Sequence, residues 1–130
     1  MRYTGVYLPD AVAYHQGSAT LGRWSARTVR QISRNQVLLL ARHYDPSMLR
    51  QCGWQIATAQ LLWGLVALKN GAGLAWLLGK IEGVRRFGSF RRRTTDPVLI
   101  SVLGSSEKEL RELQQLTGWD WYWRLYFALT

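Results

Sequence analysis

The feature that most restricts the fold of this chain is a long stretch without charged side chains between Arg50 and Lys69. Residues 48–68 are numerous enough for one membrane-crossing helix, which needs about 20 apolar residues. Residues 70–73 then break the helix, and a second apolar helix begins over residues 74–80. Polar side chains keep the first helix short of a transmembrane prediction: Gln51, Gln55, Thr58 and Gln60. The sequence therefore predicts an apolar helical hairpin.

The hairpin carries scattered tryptophans and is followed by a basic segment, residues 80–93, with Phe87 and Phe90 among its arginines. Tryptophan favours the headgroup level of membranes, and each basic residue near an anionic leaflet adds about 1 kcal/mol of attraction. A hairpin packed on another domain, with solvated arginines, is an equal alternative. Nucleic-acid binding is less favoured, because no known binding module is present. The candidates for membrane or polyanion contact are Trp54, Trp63, Trp76, Arg85, Arg86, Arg91, Arg92 and Arg93.

A helix is predicted over residues 26–44, with Ser25 as its N-cap and Asp45-Pro46 at its end. Arg27, Arg30 and Arg34 follow the spacing i, i+3, i+7, which places them on one helical face. Arginine suits phosphate because its planar guanidinium donates two parallel hydrogen bonds and keeps its charge. Charge spacing alone favours a solvated helix face.

Two short strands are predicted at residues 3–8 and 11–15, separated by a Pro9-Asp10 turn. The second strand leads into a polar loop that holds His15 and Ser18. A histidine at the end of a strand, entering a Gly/Ser loop, is well placed for ligand chemistry. The local pattern alone favours structural roles, with His15 bonding a backbone carbonyl and Ser18 forming a turn.

This segment carries a resemblance to a known family. Tyr7-Leu8-Pro9-Asp10-Ala11-Val12, then Tyr14-His15-x-Gly17-Ser18, then Thr20 and Gly22, looks like the closing segment of the catalytic domain in bacterial family 2 glycosyltransferases. These are enzymes of the GT-A type that include rhamnosyltransferases.

The resemblance continues into the predicted helix and covers roughly the first third of the chain. Arg34-Asn35, the apolar run over residues 37–40 and Ala41-Arg42-His43-Tyr44 are similar to the helix that follows the catalytic domain in those enzymes. The remainder resembles, more loosely, the helical C-terminal extensions of some members, including the ending Trp123-Arg124-Leu125-Tyr126-Phe127.

The resemblance implies transfer of a sugar from a nucleotide-diphosphate donor to a glycan or lipid-linked acceptor in cell-envelope polysaccharide synthesis. The transfer would take place in the cytoplasm, with the enzyme peripheral at the inner face of the plasma membrane. It also implies a divalent metal, Mn²⁺ or Mg²⁺, in the full-length enzyme, with His15 completing its coordination. The residues that it places at the donor diphosphate are His15, Ser18, Arg23, Arg34 and Asn35.

The chain lacks two parts that such an enzyme needs. It contains no Asp-x-Asp motif, and its aspartates are scattered singly. No carboxylate matches the catalytic base of the family, so we expect both parts to lie before Met1. No catalytic residue is therefore assigned, and we expect this piece to be inactive alone.

The charge balance points to polyanions as partners, with 17 Lys+Arg against 8 Asp+Glu and a net charge of +9. A single cysteine, Cys52, excludes an internal disulfide and a cysteine-cluster metal site. The N-terminus shows no secretion signal. The alternative to a glycosyltransferase piece is a small basic module that binds a membrane surface or another polyanion without catalysis.

The C-terminal part of the sequence predicts a short β-prone or buried run at residues 98–103 and a helix at residues 107–116. Ser105 or Ser106 would cap that helix, and Gly118 would end it. The aromatic residues at 119–129 are dense enough for a docking surface. The expected fold class is α+β, predominantly α. Residues 1–46 would end a GT-A catalytic domain, and residues 47–130 would form a helical extension.

Overall fold

The computed structural model describes residue 10, residues 22–91 and residues 98–130. Of these residues 85% are helical and none forms a strand, so the fold is all-helical and the α+β prediction was wrong. The strands predicted at residues 3–8 and 11–15 lie outside the described residues, where only Asp10 is described, in a turn. The helices are α1 (Ala26–His43), α2 (Pro46–Gln51), α3 (Gly53–Lys69), α4 (Gly73–Phe90), α5 (Val98–Thr117) and α6 (Trp121–Leu129).

The run over residues 98–103 is helical, because α5 is continuous from Val98 to Thr117. Its β-branched residues favour strands only weakly, and helix extension adds a hydrogen bond for each further residue. Ser101 Oγ donates to the Val98 carbonyl at 2.8 Å, and Ser105 Oγ donates to the Ser101 carbonyl at 3.0 Å. These serines therefore bond back along the helix, and the N-cap predicted at Ser105 or Ser106 was wrong.

Helix α1 confirms the prediction made from its capping signals. Ser25 Oγ accepts a hydrogen bond from the Thr28 amide at 3.1 Å, as an N-cap does. The helix ends at His43, and Asp45 caps the next helix by accepting from the Met48 amide at 2.8 Å. The helix predicted over residues 48–68 is divided at Cys52 into parts of α2 and α3.

Helices α1 and α4 run parallel and form the most extensive helix contact in the described residues. Gly79 lies against Arg30 and Ser33, and Gly83 lies one turn further on against Arg34 and Val37. Together with Ala75 and the N-cap residue Ala72, these glycines form a row of small residues along α4, all buried. The row allows the two backbones to approach closely.

Helix α3 returns antiparallel to α4 through a tight turn in which Gly71 has a φ of 73°. Such an angle suits glycine, which lacks a Cβ. The core lies where α1, α3 and α4 meet, and Trp24 and Trp76 pack against it. None of the described helices combines the length and apolar character that crossing a bilayer requires. The buried core residues are Val29, Ala67, Ala72 and Ala75.

Helix α6 packs antiparallel on α3 through polar contacts at both of its ends. Tyr122 Oη donates to the Ala59 carbonyl at 3.2 Å, and Trp54 Nε1 donates to the Leu129 carbonyl at 2.6 Å. Helix α5 contacts α6 through Arg111, whose guanidinium lies 3.9 Å from the ring centroid of Phe127. The aromatic C-terminal segment therefore docks on this chain.

Candidate anion-binding site

Helices α1 and α4 form the walls of an open groove with a volume of about 810 Å³. Arg27, Arg30 and Arg34 line the α1 wall, as their spacing on one helical face predicts. Leu74 and Glu82 lie on the α4 wall. We call this the arginine groove.

Glu82 neutralises one of the three arginines. Its carboxylate accepts hydrogen bonds from Arg30 Nη2 at 2.8 Å and Arg30 Nε at 3.2 Å. The hydrogen bond from Arg30 lowers the pKa of Glu82, and the nearby charges of Arg34 and Arg86 lower it further. The same hydrogen bond raises the pKa of Arg30. Among the described lining residues Glu82 is the one carboxylate, and it is already paired.

Arg27 and Arg34 keep their charge available. Within the described ranges, no carboxylate forms an ion pair with either guanidinium. Arg34 Nε donates to Asn35 Oδ1 at 3.2 Å, which leaves its terminal amino groups for another acceptor. A guanidinium without a carboxylate partner suits a phosphate, which can accept two of its hydrogen bonds. The groove therefore carries net positive charge, with one arginine on each side of the Arg30–Glu82 pair.

Trp24 lines the groove near the first turn of α1. Its ring lies 5.5 Å from that of Trp63, centroid to centroid. The Arg23 guanidinium lies over the Trp24 ring, 5.9 Å from its centroid. This end of the groove thus combines an aromatic surface with a further cation.

The structure brings three of the residues predicted at the donor diphosphate to this groove or its edge. Arg34 lines it, Arg23 lies beside its tryptophan, and Asn35 is exposed and bonded to Arg34. His15 and Ser18 lie outside the described residues. In the part of the chain that is described, no three histidine, cysteine, aspartate or glutamate residues cluster as a metal site would require. The metal predicted at His15 stays a prediction.

The residues predicted to contact a membrane or polyanion are dispersed. Trp63 and Trp76 are half-buried, with Trp63 against Trp24 and Trp76 against the core. Trp54 is exposed and bonded to α6. Arg92 and Arg93 lie outside the described residues. The exposed arginines at and just beyond the end of α4 are Arg85, Arg86 and Arg91.

Sequence reasoning missed the role of Lys80, which joins the three core helices. Its Nζ donates to the Ser33 carbonyl at 3.2 Å, to Gln36 Oε1 at 2.7 Å and to Gln60 Oε1. Burial lowers the pKa of Lys80 to about 8. The sequence signal that Lys80 contacts other helices is its position directly after Gly79, on the packed face of α4. The pairing of Glu82 with Arg30 was missed too, because no local pattern links residues so far apart.

In the described ranges, fold and groove together define a basic, all-helical protein with a candidate anion-binding site between two parallel helices. Comparison of the chain with known protein families, with curated proteins and with solved structures finds no match.

Proposed function

We propose that this chain is part of a bacterial family 2 glycosyltransferase and that the arginine groove binds the diphosphate of its nucleotide-sugar donor. One observation carries the proposal. Arg34, which the resemblance assigns to the donor, lines a groove with Arg27, and neither has a carboxylate partner among the described residues. The Arg34-Asn35 contact and the nearby Arg23 support it.

The groove suits a diphosphate because its two available arginines flank a fixed ion pair. Arg27 and Arg34 are seven positions apart, about 10 Å along the helix axis, so their long side chains can converge on one ligand from both ends. The Arg30–Glu82 pair between them spans the two walls. Fixed cations of this kind stabilise the negative charge that develops on a departing nucleoside diphosphate.

The chain's own residues would bind the donor and would not carry out the proton transfer. Glu82 is committed to Arg30 and has a lowered pKa, so it is a poor proton acceptor. A divalent metal, Mn²⁺ or Mg²⁺, would supply further charge stabilisation in the full enzyme. We assign the diphosphate to the cations of the groove, because Arg27 and Arg34 line it without a carboxylate partner among the described residues.

The acceptor would be a glycan or a lipid-linked glycan in cell-envelope polysaccharide synthesis. Nucleotide sugars are cytoplasmic, so we place the enzyme peripherally at the cytoplasmic face of the plasma membrane. The net charge of +9 supports contact with a diphosphate and with an anionic surface.

Isothermal titration calorimetry with UDP tests the proposal. Arg34→Ala and Arg27→Ala should each weaken UDP binding about tenfold, the loss of one charge-assisted hydrogen-bonding group. Arg42→Ala is the matched control, because Arg42 lies on the same helix, is exposed and does not line the groove. It should change UDP affinity less than about twofold. Uridine, which has no phosphate, should not bind detectably.

Two results would contradict the proposal. If Arg42→Ala weakens binding as much as Arg34→Ala does, UDP is attracted by net charge and not by the groove. If the folded wild-type chain shows no saturable UDP binding with or without Mn²⁺, the groove is not a preformed donor site.

A further inference from the structure

The hairpin of α3 and α4 exposes a row of large aliphatic side chains. We call this row the aliphatic strip. Within it, exposure reaches 71% for Leu74 and 66% for Leu68, the two members nearest the turn. The strip consists of Leu61, Leu65 and Leu68 from α3 and Leu74, Leu77 and Ile81 from α4.

The two helices contribute to one continuous surface. On α3 the members follow the spacing i, i+4, i+7, and on α4 they follow i, i+3, i+7, so each set occupies a single helical face. All members except Ile81 border the same shallow groove of about 300 Å³, whose other described lining residues are two glycines and Trp76. Soluble monomers rarely expose a contiguous apolar surface of this kind without a partner.

The charges around the strip are almost all positive. Helix α3 carries no acidic residue and α1 carries none, while the single carboxylate of α4, Glu82, is paired with Arg30. Lys69 follows Leu68 directly at the turn, and Arg85 lies one helical turn beyond Ile81 on the same face; both are exposed. Cations thus lie at both ends of the aliphatic strip. The single acidic residue of α3 and α4 is Glu82, which is paired with Arg30.

We propose that the aliphatic strip lies on an anionic phospholipid leaflet, with its side chains at the acyl boundary and Lys69 and Arg85 among the headgroups. Interfacial helices combine an apolar face with flanking cations in this way. Trp76, the one aromatic residue among the described residues that line the shallow groove, fits this position, since tryptophan favours the headgroup level of a bilayer. This inference does not depend on the diphosphate, because it concerns another face of the hairpin.

Co-sedimentation with vesicles tests the inference. The wild-type chain should bind vesicles of mixed phosphatidylglycerol and phosphatidylcholine at least about tenfold more strongly than vesicles of phosphatidylcholine alone. The double variant Leu65→Gln/Leu77→Gln should lose about a hundredfold in partitioning, about tenfold for each leucine. The matched control is Leu113→Gln/Leu116→Gln, which changes two exposed leucines of α5 and should leave binding unchanged.

A second charge variant separates the two contributions. Lys69→Gln/Arg85→Gln should weaken binding to the anionic vesicles by about tenfold or more and leave the weak binding to neutral vesicles unaffected. Added salt should weaken the wild-type chain more than this variant.

Three outcomes would overturn the inference. The strip variant could bind anionic vesicles as well as the wild type does, or the wild type could bind neutral and anionic vesicles equally. Sedimentation equilibrium could show a wild-type dimer that the strip variant abolishes while vesicle binding stays unchanged, in which case a second copy covers the strip. UDP titration of the strip variant, monitored for folding by circular dichroism, should be normal, which separates failure of this inference from failure of the donor site.

Discussion

The contact between α1 and α4 depends on the absence of a side chain at Gly79, and Gly79→Ala tests this directly. An added Cβ would overlap the Arg30 carbonyl oxygen and lie 2.8 Å from Ser33 Cβ. The Arg30 oxygen belongs to the main chain of α1, and Ser33 Cβ is the first atom of a fully buried side chain. Neither atom can move unless α1 moves. The substitution should therefore force the two helices apart along the core.

The expected size follows from two opposing effects. Overpacking of this kind costs about 1–3 kcal/mol, whereas alanine in a helix interior is about 1 kcal/mol more favourable than glycine. We expect Gly79→Ala to lower the free energy of unfolding by up to about 2 kcal/mol on balance. Gly88 lies in the same helix, and a Cβ there would meet nothing within 4 Å. Gly88→Ala should raise stability by about 0.5–1 kcal/mol.

Urea and thermal unfolding followed by circular dichroism measure both variants against the wild type. A difference of about 2 kcal/mol between them corresponds to about 8 °C in the melting temperature for a chain of this size. The urea m-value should stay constant, since neither substitution changes by much the surface area that unfolding exposes. If Gly79→Ala proves as stable as Gly88→Ala, the close approach of α1 and α4 is not present in solution.

Three further predictions concern single contacts. Burial lowers the pKa of Lys80 from 10.5 to about 8, so between these values the unfolded chain binds more protons and the free energy of unfolding should rise with pH. Allowing for the partial exposure of the amine, we expect the free energy of unfolding, measured with urea, to rise by about 1 kcal/mol across this pH window. The variant Lys80→Met should show no such rise. Ser25→Ala removes the N-cap of α1 and should cost about 1 kcal/mol by the same assay, while Ser25→Asp should retain most of the stability. Tyr122→Phe removes the hydrogen bond to the Ala59 carbonyl and should cost about 1 kcal/mol, with α6 exchanging its amide hydrogens faster.

Local signals in the sequence predicted the elements that local chemistry determines. Ser25 and the Asp45-Pro46 pair mark the ends of α1, because a cap acts on amides only a few residues away. The spacing of Arg27, Arg30 and Arg34 likewise predicted that they share one face of α1, but it did not predict the groove. At residues 98–103, by contrast, β propensity was overridden by continuation of α5, since such propensities are weak against helix extension.

Long-range pairings could not be predicted in this way. Arg30 meets Glu82 only because α1 and α4 run parallel, with α3 between them in the chain. The same geometry decides which leucines stay exposed. The apolar pattern over residues 48–68 predicts a helix there, but it does not distinguish buried Leu62 from exposed Leu61. That distinction depends on which face of α3 the neighbouring helices cover.

Leu74 borders both the arginine groove and the aliphatic strip, so the two surfaces adjoin. If the strip lies on an anionic leaflet, the groove opens beside the headgroups, and lipid phosphates become competitors for Arg27 and Arg34. We therefore expect anionic vesicles to weaken UDP binding several-fold in calorimetry, whereas neutral vesicles should not.

The strip variant Leu65→Gln/Leu77→Gln separates this competition from simple charge screening. It keeps every arginine of the groove but should stay off the leaflet, so its UDP affinity should be insensitive to the same vesicles. Equal loss of UDP affinity in the wild type and the strip variant would show that the vesicles weaken UDP binding by charge screening and not through docking of the strip. A loss confined to the wild type would mean that membrane contact and donor binding share one edge of the hairpin, so that release from the leaflet favours donor binding.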